Sequence, residues 1–223
     1  MTAVPADLLM MLLGDARFPV AGHTQSAGLE AAVQHGLTGP EVPLYMAARL
    51  NTIVRVEAGT AVVALHALTH GLALEPVVRA WAARTPSPAL RQSSRTQARA
   101  LLRIGRQLWP DARPVAQAAE LDGCPRAVAL AAAAAAVGLD PGSLARTVGY
   151  DDVQTVASAA LKLLPLDPAV ATSWVHDALP GVAEMAGSVA RLIDPARIPA
   201  TGAPQTEVWA EAHAVSSRRL FSA

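Results

Sequence analysis

The sequence predicts an all-α fold: one helical domain of about ten helices around a central alanine-rich helix, followed by a C-terminal tail. Three observations lead there. Runs of Val, Ile, Thr and aromatic residues with the two-residue alternation of a half-buried strand do not occur. Helix start and stop signals recur along the chain. The stretch AVALAAAAAAVGL, 127–139, is apolar on every face, so it needs protein on all sides. With 223 residues, the chain can bury a full core without a disulfide or metal staple.

The elements follow in order. The opening MTAVPADLLMMLLGDARF has a short apolar run and no basic residues before it, so no signal peptide is expected. DARFPVAGHTQSAGLEAAV, 15–33, is irregular and polar until it turns helical after Gly28. Pro19 stiffens its entry, while Gly22 and Gly28 permit tight turns and close approach. Thr38-Gly39-Pro40-Glu41 reads as a capping box ahead of VPLYMAARLNTIVRV. Ser87-Pro88 is an N-cap followed by proline at the first helical position, and opens a helix running towards Trp109-Pro110. Asp140-Pro141 and Asp167-Pro168 repeat that device, and Gly138 stands where a C-terminal cap is expected. The helix at Leu144–Leu164 is expected to share the middle of the molecule with the alanine run. No repeat and no long linker divides the chain, so residues 1–196 read as one domain. From Arg197 the composition changes, and residues 197–223 read as a tail with a short helix at about Thr206–Ser217 and an apolar Leu220-Phe221 end. Such an end docks somewhere or frays; docking on the same chain and docking on a partner are both open.

Composition excludes several functions. The chain is formally neutral and 4% aromatic, which argues against nucleic acid as a main partner. The 127–139 stretch is shorter than the roughly 18 residues that a membrane span requires. A lone Cys124 fits a reducing, cytoplasmic setting; ahead of Pro125 it reads as a small buried residue.

No catalytic, cofactor or metal site is expected. There is no P-loop, dinucleotide fingerprint or nucleophile elbow. His66 and His70 are four apart and share a helix face, but no Glu follows His66 and no third ligand lies nearby. They read as ordinary helix-face histidines; a metal-dependent enzyme built on them is the alternative. Asp151 and Asp152 are adjacent, so they point in different directions and read as solvated or near a helix end. Lys162, the only lysine, sits in the apolar VASAALKLLPL, either snorkelling at a helix C-terminus or placed at an interface.

The opening stretch resembles the N-terminal signature of the urease accessory protein F family (UreF), roughly D-S-R-F-P-x-G-G-F-x-H/Y-S-x-G-L-E-x-A-V. The match runs through Asp15, Arg17, Phe18, Pro19, Gly22, Ser26, Gly28, Leu29, Glu30, Ala32 and Val33. The end, His213 and then Arg219-Leu220-Phe221-Ser222, resembles the family's closing element. VASAALKLLPLDP is similar to its S-A-x-(Arg/Lys)-L-x-P-L-G segment, with Lys162 at the cationic position, and RQSSRTQARALLRIGRQLWP falls where the family has an R-E-x-S-x-x-x-G helix. The departures are Ala21, His23, Gln25, Gln92 and Gln205-Thr206-Glu207. The chain is identified as a divergent member of actinobacterial type, given its Arg and Ala bias.

The resemblance implies an all-α, homodimeric, non-enzymatic adaptor. It would bridge the accessory protein UreD (also called UreH) and the GTPase UreG, dock on apo-urease and help deliver nickel, with nickel and GTP handled by the partners. It also implies partner-binding residues: Arg17, Phe18, Pro19, Ser26 and Glu30 in the opening platform; Arg91, Arg95 and Lys162 towards the GTPase or the dimer; and His213, Arg219, Leu220 and Phe221 towards UreD. A variant reading makes Arg17, Arg91 or Arg95 an arginine finger that activates GTP hydrolysis. A generic helical interaction module is the remaining alternative.

Overall fold

Alanine decides where the layers of this protein meet, because a methyl side chain lets two helix backbones approach closely. The computed structural model describes residues 4–15, 25–216 and 220–221. Among them are eleven α-helices, two short 3₁₀ turns and no strand element, so the all-α expectation holds. The alanine run forms α8, Arg126–Ala136, with Ala127 through Ala134 buried. It packs between α4, Ile53–Thr69, and α6, Pro88–Leu108, with α7, Arg113–Glu120, beside it.

The centre differs from the expectation in one respect. α4 is at least as central as the alanine helix: it meets α8, α9 (Pro141–Leu163) and α5 (Glu75–Arg84), and its residues from Ala58 to Leu65 are all buried. Residues 39–69 form a helical stretch long and apolar enough, by composition, to cross a membrane, and 67% of its most apolar window is buried inside the protein. Small residues explain the burial. Gly59 lies so close to Pro199 that a Cβ there would sit 2.7 Å from its Cδ, and a Cβ on Gly149 of α9 would be 2.8 Å from Met185 Cε of α10, Pro168–Val189.

Local signals fix the helix starts. Glu41 accepts hydrogen bonds from the Thr38 backbone N–H at 2.8 Å and hydroxyl at 2.6 Å, opening a 3₁₀ turn, Gly39–Glu41, that leads into α3, Val42–Asn51. Ser87, Asp140 and Asp167 accept from the backbone of Leu90, Ser143 and Ala169, each ahead of a helix-opening proline. The helix expected to run through VPLYMAARLNTIVRV breaks at Thr52 into α3 and α4. The Thr52 carbonyl accepts from the Val56 N–H at 3.2 Å and also from the Thr201 hydroxyl at 3.0 Å.

The stretch from Arg197 lies on the helical body. Arg84 Nε donates to the Ile198 carbonyl at 2.8 Å, and Ile198 is buried. α11, Pro204–Val215, packs on α6 and on the short α2, Leu29–Gln34. α1, Ala6–Leu13, leaves Leu8, Met11 and Leu12 exposed.

Candidate functional site

A buried carboxylate joins the two ends of the chain. Glu30 is the second residue of α2 and is 4% exposed. Its Oε1 accepts from the Leu220 backbone N–H at 2.6 Å; its Oε2 accepts from His213 Nε2 at 2.9 Å and from the Phe221 N–H at 3.0 Å. Burial alone would raise the Glu30 pKa. The Leu220 N–H, the His213 ring and the Phe221 N–H together outweigh it and hold the carboxyl below its ordinary value. Phe221 is buried, with Lys162 Nζ 5.1 Å from its ring centroid, while Leu220 stays exposed.

The turn before α2 delivers Glu30 to this position. The Ser26 hydroxyl accepts from the Glu30 N–H at 3.3 Å, and Tyr45 Oη donates to the Ala27 carbonyl at 2.7 Å. Gly28 adopts φ +78°, and a Cβ there would lie 2.9 Å from Tyr45 Oη. Gly28→Ala is therefore expected to destabilise the fold by about 2 kcal/mol through left-handed strain and loss of the Tyr45 fit. Urea denaturation measures it, and a change within about 0.5 kcal/mol, as at an ordinary surface site, would show that Gly28 is dispensable.

A cavity of about 150 Å³ begins beside this turn. Ser26, Gly28 and His213 line one side. On the other lies a set of buried charges that sequence reasoning missed. Arg49 donates to Asp152 through Nε at 2.9 Å and Nη2 at 2.6 Å; Arg126 Nη2 donates to Asp151 at 2.7 Å. Trp81 Nε1 donates to Glu57 Oε1 at 2.6 Å. Burial opposes the charge on Arg49, but the Asp152 carboxylate more than offsets it and keeps the Arg49 pKa above its usual value. Burial pushes Asp151 up against the pull of Arg126, and pushes Glu57 up against the Trp81 N–H. Two guanidinium groups thus face three carboxyl groups, two of which resist ionisation. The expectation that Asp151 and Asp152 are solvated or near a helix end is corrected: both lie mid-helix in α9, each paired to an arginine from a different helix.

The other expected residues fall as follows. Arg17, Phe18, Pro19 and Arg219 lie outside the described residues, as do the departures Ala21 and His23. Ser26, Glu30, Lys162, His213 and Phe221 come together. Arg91 and Arg95, on α6, do not join them. Arg91 Nη1 donates to the Thr85 and Pro86 carbonyls, closing the turn after α5. Arg95 is half-buried against Gly123, with no hydrogen-bond partner for its Nε. Gln25, another departure, accepts a 3.5 Å contact from Ser93. Glu211, which the sequence did not single out, accepts from the Ser87 hydroxyl and from the Ala89 N–H at 3.0 Å, tying α11 to the start of α6. Cys124 is buried, and burial pushes its thiol up to about 12, so it is an inert packing residue.

Comparison with known proteins gives one family. The UreF family model matches residues 41–179. The Urease accessory protein UreF of Mycobacterium sp. strain JLS is 35% identical over 217 residues, covering 96% of this chain and 97% of that protein. The proteins of the same name from Mycolicibacterium vanbaalenii and Mycobacterium marinum are 34% and 33% identical, each over 96% of this chain and 97% of their own.

Proposed function

This chain belongs to the UreF family of urease accessory proteins, and we propose that it is a non-enzymatic adaptor in urease maturation. It bridges UreD (UreH) and the GTPase UreG, docks with them on apo-urease in the cytoplasm and assists nickel insertion, leaving nickel and GTP to its partners. Neither nucleic acid nor a membrane is among its partners.

The observation that carries this reading is the convergence on Glu30. Ser26 and Glu30 from the opening motif, Lys162 from the middle, and His213 and Phe221 from the closing element are far apart in sequence and meet at one place. A carboxylate that positions two backbone N–H groups organises a chain end, and Leu220 next to it presents an exposed apolar side chain. On this reading the ordered chain end, with Leu220 exposed beside it, is the surface that meets UreD. The reading also includes a homodimer, for which the exposed Leu8, Met11 and Leu12 of α1 offer apolar area.

The test is urease activity in cells carrying a complete urease cluster from the same source, with this chain deleted, restored whole, or restored without its residues from Arg218 onward. Activity is expected to vanish on deletion and to return only with the whole chain. Full activity without the chain would overturn the adaptor role; full activity with the shortened chain would move the UreD contact away from the tail.

A further inference from the structure

We propose that the outward face of α6 is a docking surface for an acidic helix of a protein partner, held by Arg99, Arg103 and Arg106. This holds whichever protein supplies that helix, so it goes beyond the adaptor reading and does not rest on it. α6 carries five arginines and no Asp or Glu. The whole chain balances 18 Lys and Arg against 18 Asp and Glu, so outside this helix 13 cations stand against 18 acids. One helix is thus the basic pole of a formally neutral molecule.

Helix geometry defines the face. At about 3.6 residues per turn, Gln92, Thr96, Arg99, Arg103, Arg106 and Gln107 fall within an arc of about 100°. All six are exposed and none is acidic. Ala98, Leu101, Leu102 and Gly105 turn the other way and are buried. Arg99 Nη2 donates to the Thr96 hydroxyl at 2.9 Å, and among the described residues no carboxylate pairs with Arg99, Arg103 or Arg106. A solvated helix face ordinarily sets Glu and Arg four residues apart, where opposite charges attract. Here Arg91, Arg95, Arg99 and Arg103 follow one another at that spacing, so like charges repel along the free helix. A partner that brings carboxylates removes this repulsion and gains the forked contacts that the planar guanidinium makes. Positions i, i+4 and i+7 span about 10 Å along the axis, and carboxylates at the same spacing on a second helix match them. A long polyanion fits less well. The excess of acids elsewhere on the chain repels it, and the face has no aromatic residue on which a base could stack.

The experiment titrates the full chain into a fluorescently labelled, alanine-rich helical peptide with Glu at positions i, i+4 and i+7, and reads its anisotropy. A second peptide of the same composition carries its Glu residues at i, i+2 and i+5, spread around the helix. The unaltered chain is expected to bind the first peptide about tenfold more tightly than the second, and to weaken about tenfold between about 50 and about 200 mM salt. The triple variant Arg99→Gln/Arg103→Gln/Arg106→Gln is expected to lose about tenfold or more in affinity. Arg79→Gln/Arg191→Gln/Arg197→Gln, which removes as many exposed charges elsewhere, should bind unchanged. Arg99→Glu/Arg103→Glu/Arg106→Glu should instead take up the peptide with Lys in place of Glu, a result that a damaged helix would not give. Circular dichroism confirms that the variants are folded. Equal affinity for the two Glu peptides, equal loss in the control triple, no binding at low salt, or tighter binding of a single-stranded oligonucleotide or of phosphatidylserine vesicles would each overturn the site. Urease activity in cells is not part of this readout, so its failure and that of the adaptor role are separable.

Discussion

Replacing Glu30 with alanine is expected to unseat the C-terminal end of the chain, to cost about 2 kcal/mol of stability and to abolish urease activation in cells. The substitution removes the acceptor for His213 Nε2 and for the Leu220 and Phe221 N–H groups together. A buried donor left without an acceptor costs about 1–3 kcal/mol, but the end of the chain can swing into water and recover part of that. His213, buried in α11, cannot escape so easily. The nuclear magnetic resonance signals of the Phe221 ring report the release directly, and chemical denaturation reports the stability.

Acidification should have the same effect on the unaltered protein. The folded Glu30 carboxyl titrates below its unfolded value of 4.5. Its contribution is therefore complete above that value and is lost as the pH falls through the lower, folded one. The Phe221 signals should hold steady through neutral pH and shift only in that acid range. A Glu30→Ala chain whose Phe221 signals match those of the unaltered protein would show that apolar burial alone seats the tail.

The second large effect is expected at Asp152. Asp152→Ala leaves the Arg49 guanidinium buried with no carboxylate in its forked contact. Breaking a buried pair from one side costs about 3–5 kcal/mol. The double replacement Arg49→Met with Asp152→Leu removes both charges and should recover most of the loss. Urea denaturation of the single and double variants decides between charge and shape. If the double variant is as unstable as Asp152→Ala, the orphaned charge does not set the cost. Because α3 and α9 carry the two partners and the cavity lies between them, the single variant should also disturb the turn that places Glu30.

Much of the fold could be read from short windows of sequence. Ser87-Pro88, Asp140-Pro141 and Asp167-Pro168 start helices where their side-chain and ring chemistry says they should, since a cap depends only on the next two or three residues. The alanine run announces burial because no face of it is polar. The tertiary contact at the Thr52 break could not be read this way: its carbonyl, already bonded to the Val56 N–H, also accepts from Thr201, far along the chain. Asp151 and Asp152 were misplaced for the same reason. Two adjacent acids ordinarily face water, and only the crossing of α9 with α3 and α8 supplies Arg49 and Arg126 to each.

The sequence by itself determined the helices, their caps, the apolar core and the two end motifs that resemble one family. It also contained every residue of the Glu30 site, without their geometry. The tertiary structure alone decided that a carboxylate at position 30 holds the backbone of Leu220 and Phe221, that Lys162 meets a ring at the end of the chain, and that Arg91 is spent on a turn. The physical reason is range. Caps and periodicity act within a helical turn, whereas these contacts join segments up to 191 residues apart and exist only once helix packing has removed the water between them.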